Sequence, residues 1–351
     1  MLKPGDTIGI LGGGQLGRMM AIEAARLGLR THIYCPGAES VGGDVAGKAT
    51  FAPWEDERAL ADFAAHCDAI TWEFENVPVA AVTALEGKLA PPSRALEVAQ
   101  DRFAEKRFCE ELGGTPAPYR AVDGAADLVA AIEAIGAPGI LKTRRDGYDG
   151  KGQWRIAGPE DAHGLDLPDK PLIYEGLVAF EAEFSVILVR GHGGEIRFWD
   201  STQNLHVGGI LDRSILPAAA IVQDQVEAAR ELAAKAADAL DYVGVLTLEF
   251  FATADGPVFN EMAPRVHNSG HWTIEGAATS QFANHIRAVA GLPLGDTTTS
   301  AREVEMTNLL GNDAASAFER LSDPATAVHL YGKRESREGR KMGHTTRVVR
   351  A

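Results

Sequence analysis

Cysteine is scarce in this chain of 351 residues: there are three, Cys35, Cys67 and Cys109. Their number is odd and their spacing wide, which argues against a disulfide framework or a zinc site. Long apolar runs are also missing. None reaches the roughly 18–20 residues of a membrane span, so none is expected. The opening residues, Met-Leu-Lys-Pro-Gly-Asp, lack the charged-then-apolar layout of a signal peptide, and a cytoplasmic location is the expectation. Positive charge is in deficit, with a formal net charge of −15. That argues against nucleic acid or an anionic membrane as a general partner. Internal repeats and low-complexity tracts are absent.

The length suffices for a large core and more than one domain. Two carboxylates, Glu249 and Glu261, stand out. They lie in short runs rich in β-branched and aromatic residues, 245–251 and 258–261, separated by the turn signal Thr-Ala-Asp-Gly. The pattern predicts a β-hairpin. A loop centred near Asp255 puts the two glutamates opposite each other on one face. A slip of one residue puts them on opposite faces, and the sequence leaves that register open. Facing carboxylates repel, and a divalent cation such as Mg²⁺ (or Mn²⁺) resolves the repulsion, with Asn260 as a further oxygen donor. The alternative is a solvent-facing pair on a surface hairpin. Arg265, His267, Asn268, Ser269 and His271 crowd just beyond, which is poor core material.

From the start of the chain, residues 7–11 read as a buried strand, Gly12-Gly-Gly-Gln-Leu-Gly17 as a loop opening a helix, and residues 31–35 as a second strand. Gly12, Gly14 and Gly17 match the dinucleotide fingerprint, but the second strand ends Tyr34-Cys35-Pro36 without the acid that would hold a ribose. The loop then either offers its N–H groups to an anion such as a phosphate or is a tight turn that binds nothing. Residues 68–74 form another strand with Glu73, Glu75 and Asn76 at its C-terminal end, where ligands collect in open α/β sheets. One long helix is expected over 93–112, with Arg102 and Lys106 on one face. Gly113-Gly-Thr-Pro-Ala-Pro118 is the clearest linker. Beyond it, Lys142 sits in mid-strand, costly unless it faces an anion. The glycine-rich basic loop 144–153 suits closure over phosphates. Residues 171–175, 183–189, 196–199 and 204–206 read as strands, 222–240 and 279–290 as helices, and the tail adds strands near 304–309, 327–330 and 345–349. From Lys333 to Arg350 seven basic residues face two glutamates, a solvated surface or a wall for an anionic substrate.

Seven motifs together resemble the ATP-grasp superfamily and, within it, the N5-carboxyaminoimidazole ribonucleotide synthases: residues 12–17, Trp72-Glu-Phe-Glu-Asn-Val-Pro78, Gln100-Asp-Arg102, Gly147-Tyr-Asp-Gly-Lys-Gly-Gln153, Asn260-Glu-Met-Ala-Pro-Arg265, His267-Asn-Ser-Gly-His-Trp272 and Gly339-Arg-Lys-Met-Gly-His344. Val266 replaces a usual proline and Asp146 a common glycine. The resemblance implies an α/β (α+β overall) chain with the ATP-grasp fold. Its parts are a parallel pre-ATP-grasp domain (1–112), a small lid (113–178) and a larger mixed-sheet domain with a strand-rich C-terminal segment (179–351).

The same resemblance implies an ATP-dependent ligase of purine biosynthesis that carboxylates 5-aminoimidazole ribonucleotide with bicarbonate through carboxyphosphate. ATP is expected to meet Arg102, Lys142, Gly147, Tyr148, Asp149, Gly150, Lys151, Gly152, Gln153, Glu175, Gly176, Leu177, Val178, Glu183, His206, Asn260 and Glu261. Glu175 and Val178 are expected at the adenine edge, and Glu249 and Glu261 on Mg²⁺. Arg265, His267 and Asn268 are implied for bicarbonate. The ribonucleotide is expected on Gln15, Leu16, Glu73, Tyr148, Asp149, Lys151, Lys333 and Arg340. A homodimer is implied, with no nucleic acid or membrane partner. Rival readings are a formate-using transformylase of similar fold, an NAD-dependent oxidoreductase and a nucleotide-binding regulator with an RNA-binding tail.

Overall fold

The computed structural model describes residues 1–147, 152–163, 165 and 167–350. Three sheets organise them. The first is parallel, in the order Lys48–Phe51, Arg30–Cys35, Thr7–Leu11, Ala69–Trp72. Its central strand is almost wholly buried, as a strand covered on both faces must be. The helix Gln15–Arg26 crosses over with Met19, Met20 and Ala24 on its buried stripe. Leu16 belongs to that stripe: it is 8% exposed and packs in the core. The helical period thus turns it away from the substrate side expected for it.

The second sheet is small and antiparallel: Tyr119–Val122, Leu172–Gly176, Gly139–Thr143 and Gln153–Ile156. The helix Ala125–Ile135 covers it, and Val122, Leu128, Leu141, Leu172 and Tyr174 form its own core. The third has nine strands. It runs from the edge hairpin Gly256–Ala263 and Gly244–Thr253 through Ala182–Arg190, Gln203–Val207, Ile210–Leu216, Glu303–Leu310 and Lys341–Val349 to Thr326–Leu330, with Ile196–Phe198 beside Ala182–Arg190. The strand Ile210–Leu216, absent from the sequence reading, joins the C-terminal strands to the hairpin side, so the basic tail is continuous with the carboxylate sheet.

The helix expected over 93–112 is broken in two, Arg94–Ala99 and Arg102–Glu111. Asp101 is extended at the break, and its carboxylate accepts from the Phe103 and Ala104 N–H groups as an N-cap. The same carboxylate takes Arg144 Nε and Nη2 at 2.9 and 2.8 Å. Arg102 N–H donates to Arg144 C=O at 3.0 Å, so the break ties the second sheet to the first unit. The first and third sheets are joined differently, by buried bonds. Trp72 Nε1 donates to Pro264 C=O at 2.9 Å. His285 Nδ1 accepts the Val245 N–H at 3.0 Å, which leaves its proton on Nε2, 2.8 Å from Thr71 Oγ1.

Burial pulls His285 down to about 3, so the folded chain keeps it neutral. The unfolded chain protonates it near 6.5. Stability from this group is therefore complete above pH 6.5 and is lost as pH falls from 6.5 toward 3, at about 1.4 kcal/mol per pH unit. Urea unfolding at pH 7.5, 6.5 and 5.5 is expected to show this decline, with a slope smaller by about one proton in His285→Gln.

Candidate active site

A cavity of about 550 Å³ lies where the three sheets meet. The hairpin supplies one wall. Its turn has two central residues, Ala254 and Asp255, and the ladder runs Thr253↔Gly256 to Phe250↔Phe259. Continued regularly, that register would set Glu249 opposite Asn260. A bulge intervenes, and Glu249 pairs with Glu261 instead. Asn260 is the extra residue, and it re-aims its neighbour. Both glutamates and Asn260 line the cavity.

Burial first, then the charge of Glu261, raises Glu249 to about 7. His267 faces it, with Nε2 at 3.2 Å from Glu249 Oε1. The Ser269 N–H donates to His267 Nδ1, so the proton sits on Nε2 and points at the carboxylate. Burial, then Arg265 and Lys341, keeps that imidazole neutral by driving its pKa far down. Glu261 takes Arg102 Nη1 at 3.3 Å. Across the hairpin sheet, His206 Nδ1 lies 2.7 Å from Glu183 Oε2. Burial lowers His206, but Glu183, Glu249 and Glu261 outweigh it and lift its pKa.

The opposite wall is cationic. Lys142 Nζ donates to Glu175 Oε2 at 2.8 Å, and Lys106 Nζ is 3.4 Å from the same oxygen. Burial would raise Glu175, yet the two lysines hold it near 2. Its side chain serves the lysines, and Glu175 itself lines the cavity. Gly176, Leu177 and Val178 follow it along the cavity, with Gly147 and Gln153. Gly152 has φ +68, and a Cβ there would meet Thr143 Oγ1 at 2.8 Å, so only glycine fits. Tyr148, Asp149, Gly150 and Lys151 lie outside the described residues.

Arg265, His267 and Asn268 all reach the cavity, as expected. Arg265 is ion-paired with Glu75, and Asn268 exchanges two amide hydrogen bonds with Asn308 at 3.0 and 2.8 Å. Lys341 joins them in the lining. Sequence reasoning gave no role to Lys106 or Glu105, and placed Glu75 only at a ligand-collecting strand end and Lys341 only in the basic tail. Lys341 stands inside a quoted motif and Lys106 one turn beyond Arg102, so the signal was present.

A second cavity, of about 430 Å³, is lined by Gly12, Glu73, Trp54, Lys333 and Arg340 among others. Gln15 is not in its lining. Here the glycine loop is already filled: Gly17 N–H donates to Glu73 Oε2 at 2.7 Å, and Gly14 N–H to Oε1. The anion at this helix start is the protein's own carboxylate, which disposes of the dinucleotide reading. Burial raises Glu73, and the two N–H groups oppose the rise.

Known proteins share this sequence and fold. A model of the ribonucleotide synthetase preATP-grasp domain matches residues 5–100, the ATP-grasp domain 107–282, and the phosphoribosylaminoimidazole carboxylase C-terminal domain 305–350. The N5-carboxyaminoimidazole ribonucleotide synthase of Brucella melitensis is 51% identical, covering 99% of this chain and 97% of its own. The crystal structure of the Thermus thermophilus synthetase superposes with a TM-score of 0.90 at 47% identity, over 97% of this chain and 93% of that one. The Aspergillus clavatus enzyme, solved with ADP and 5-aminoimidazole ribonucleotide, superposes at 0.90 with 30% identity, over 99% and 94%. With half its residues identical along essentially its full length, the chain belongs to the N5-carboxyaminoimidazole ribonucleotide synthases of the ATP-grasp fold.

Proposed function

We propose that this chain carboxylates 5-aminoimidazole ribonucleotide on its amino nitrogen, using ATP and bicarbonate and releasing ADP and phosphate. It is a ligase of purine biosynthesis. The observation that carries the chemistry is the opposition of Glu249 and Glu261 in the large cavity, facing the Lys142–Glu175–Lys106 cluster. ATP lies between these walls, its phosphates toward Lys142 and Arg102. Glu249 and Glu261, with Asn260 beside them, fit a divalent cation: they are hard oxygen donors whose mutual repulsion a cation relieves. Mg²⁺ held there supplies charge neutralisation on the transferred phosphoryl group.

Bicarbonate attacks the γ-phosphorus, giving carboxyphosphate and ADP. Arg265, its guanidinium fixed by Glu75, and Lys341 face that anion, and the preorganised charges lower the barrier by electrostatics and positioning. His267 acts on Glu249 as a neutral donor. In the second cavity Lys333 and Arg340 receive the ribonucleotide phosphate, and Glu73 is placed to take the proton the amine gives up as its N–C bond forms. The C-terminal model match favours this reading over the formate-using rival. We assign units 1–112, 113–178 and 179–351 to pre-grasp, lid and large domain, and extend the family resemblance to a cytoplasmic homodimer. No helix among the described residues is long and apolar enough to cross a membrane.

Phosphate release from MgATP is expected to require both bicarbonate and the ribonucleotide, and Glu261→Gln to lower it by roughly a hundredfold or more. Full activity in that variant sinks the metal assignment, and replacement of bicarbonate by formate sinks the substrate. Lys333→Met and Arg340→Met should each raise KM for the ribonucleotide about tenfold, the scale of one charged hydrogen bond, with little change in KM for ATP. Equal effects on both KM values would remove the phosphate from the second cavity.

A further inference from the structure

The helix Arg102–Glu111 sends three side chains of one face, at i, i+3 and i+4, to three consecutive residues of the bulged strand. Arg102 Nη1 reaches Glu261 Oε2 at 3.3 Å, Glu105 Oε1 accepts the Met262 N–H at 2.5 Å, and Lys106 Nζ donates to Asn260 C=O at 3.3 Å. This strand is the last of its sheet, so its outward backbone groups face no further strand. Phe259 N–H donates to Thr115 C=O at 2.8 Å. In a regular strand the next outward N–H would be that of Glu261. The extra residue Asn260 makes it Met262, and Glu105 is the group that meets it.

Glu105 is 3% exposed; Phe108, Leu248, Phe259 and Met262 lie on one side of it, and on the other it borders the large cavity. A carboxyl is an expensive occupant of such a place. Burial and then Glu261 push it up to about 8. What it supplies that an apolar side chain lacks is an acceptor for one N–H.

We propose that Glu105 is a positioning residue for Glu261: by accepting the Met262 N–H it pins the bulge at Asn260 and so fixes the register that sets Glu261 opposite Glu249. The proposal rests on the metal reading of that pair. With the bulge lost, Glu249 faces Asn260 and the Glu261 side chain turns to the other face.

The test uses the full chain with Mn²⁺ as probe, its binding in the presence of ADP followed by electron paramagnetic resonance, alongside thermal unfolding. E105Q retains an acceptor oxygen at the same reach, so it is expected to bind Mn²⁺ like the wild type. E105D withdraws the carboxyl by one methylene, and E105M fills the space without an acceptor. Both are expected to weaken Mn²⁺ about tenfold or more, the usual scale for a lost supporting hydrogen bond, while ADP binding without metal is unchanged. Unaltered Mn²⁺ binding in E105D and E105M, with only a lower Tm, would make Glu105 an edge cap and overturn the proposal. Equal weakening in E105Q would also overturn it, because the hydrogen bond would then not be what matters. E261Q separates the two readings: wild-type Mn²⁺ binding there removes the metal site itself, and the role of Glu105 with it.

Discussion

Two like charges held opposite each other dominate this molecule. Directly opposed residues of a hairpin have Cβ atoms about 5 Å apart. Unit charges at about that separation, in an effective dielectric of about 20, repel by roughly 3 kcal/mol. Glu261 has the largely buried Arg102 guanidinium at 3.3 Å, and Glu249 has the neutral imidazole of His267 at 3.2 Å. Burial, and then the charge of Glu261, raises Glu249. Both carboxylates are already oriented: Glu249 by the fixed tautomer of His267, Glu261 by the bulge.

The rest of the cavity is built as the electrostatic counterpart. Lys142, Lys106 and Arg102 gather on the side facing the carboxylates, and Glu175 neutralises only part of their charge. A polyanion carrying a divalent cation complements both walls at once, its phosphates toward the lysines and its metal toward the glutamates. Glu175 stands at the end of a strand and lines the cavity, and its carboxylate holds two buried ammonium groups close together, which neither would tolerate unpaired.

Much of this was legible because the informative residues break local rules. A lysine in mid-strand at 142 and two glutamates in apolar runs at 249 and 261 are costly on any other reading, and all three face the cavity. The hairpin was visible from its turn residues, but its register was not. A turn centred on Ala254 and Asp255 misplaces the glutamates by one position, and the bulge that corrects it leaves no periodic trace. The break at Asp101 was hidden for a similar reason. Residues 93–112 have helical character throughout, and the capping role of Asp101 depends on Arg144, forty-three positions away. The glycine loop misled in the opposite direction. Its N–H groups do hold an anion, but that anion is Glu73, brought by the neighbouring parallel strand. Contacts distant in sequence decided each of these cases.

The residues that follow the strand Ala69–Trp72 reach both cavities. Glu73 turns into the second cavity, while two residues later Glu75 holds Arg265 in the first. The spacing of the two cavities therefore depends on how this strand is fixed to the large sheet. That junction is buried: Trp72 Nε1 on Pro264 C=O, and Thr71 on His285, which also caps Val245 N–H. The small sheet is tied on both by Asp101 and Arg144, an ion pair whose guanidinium is partly exposed, and by Lys106 on Glu175, a buried one. Buried neutral hydrogen bonds resist water, whereas a partly exposed ion pair can exchange with it. The junction of the first and third sheets is thus wholly buried, while the small sheet adds to its buried pair one link that water can reach.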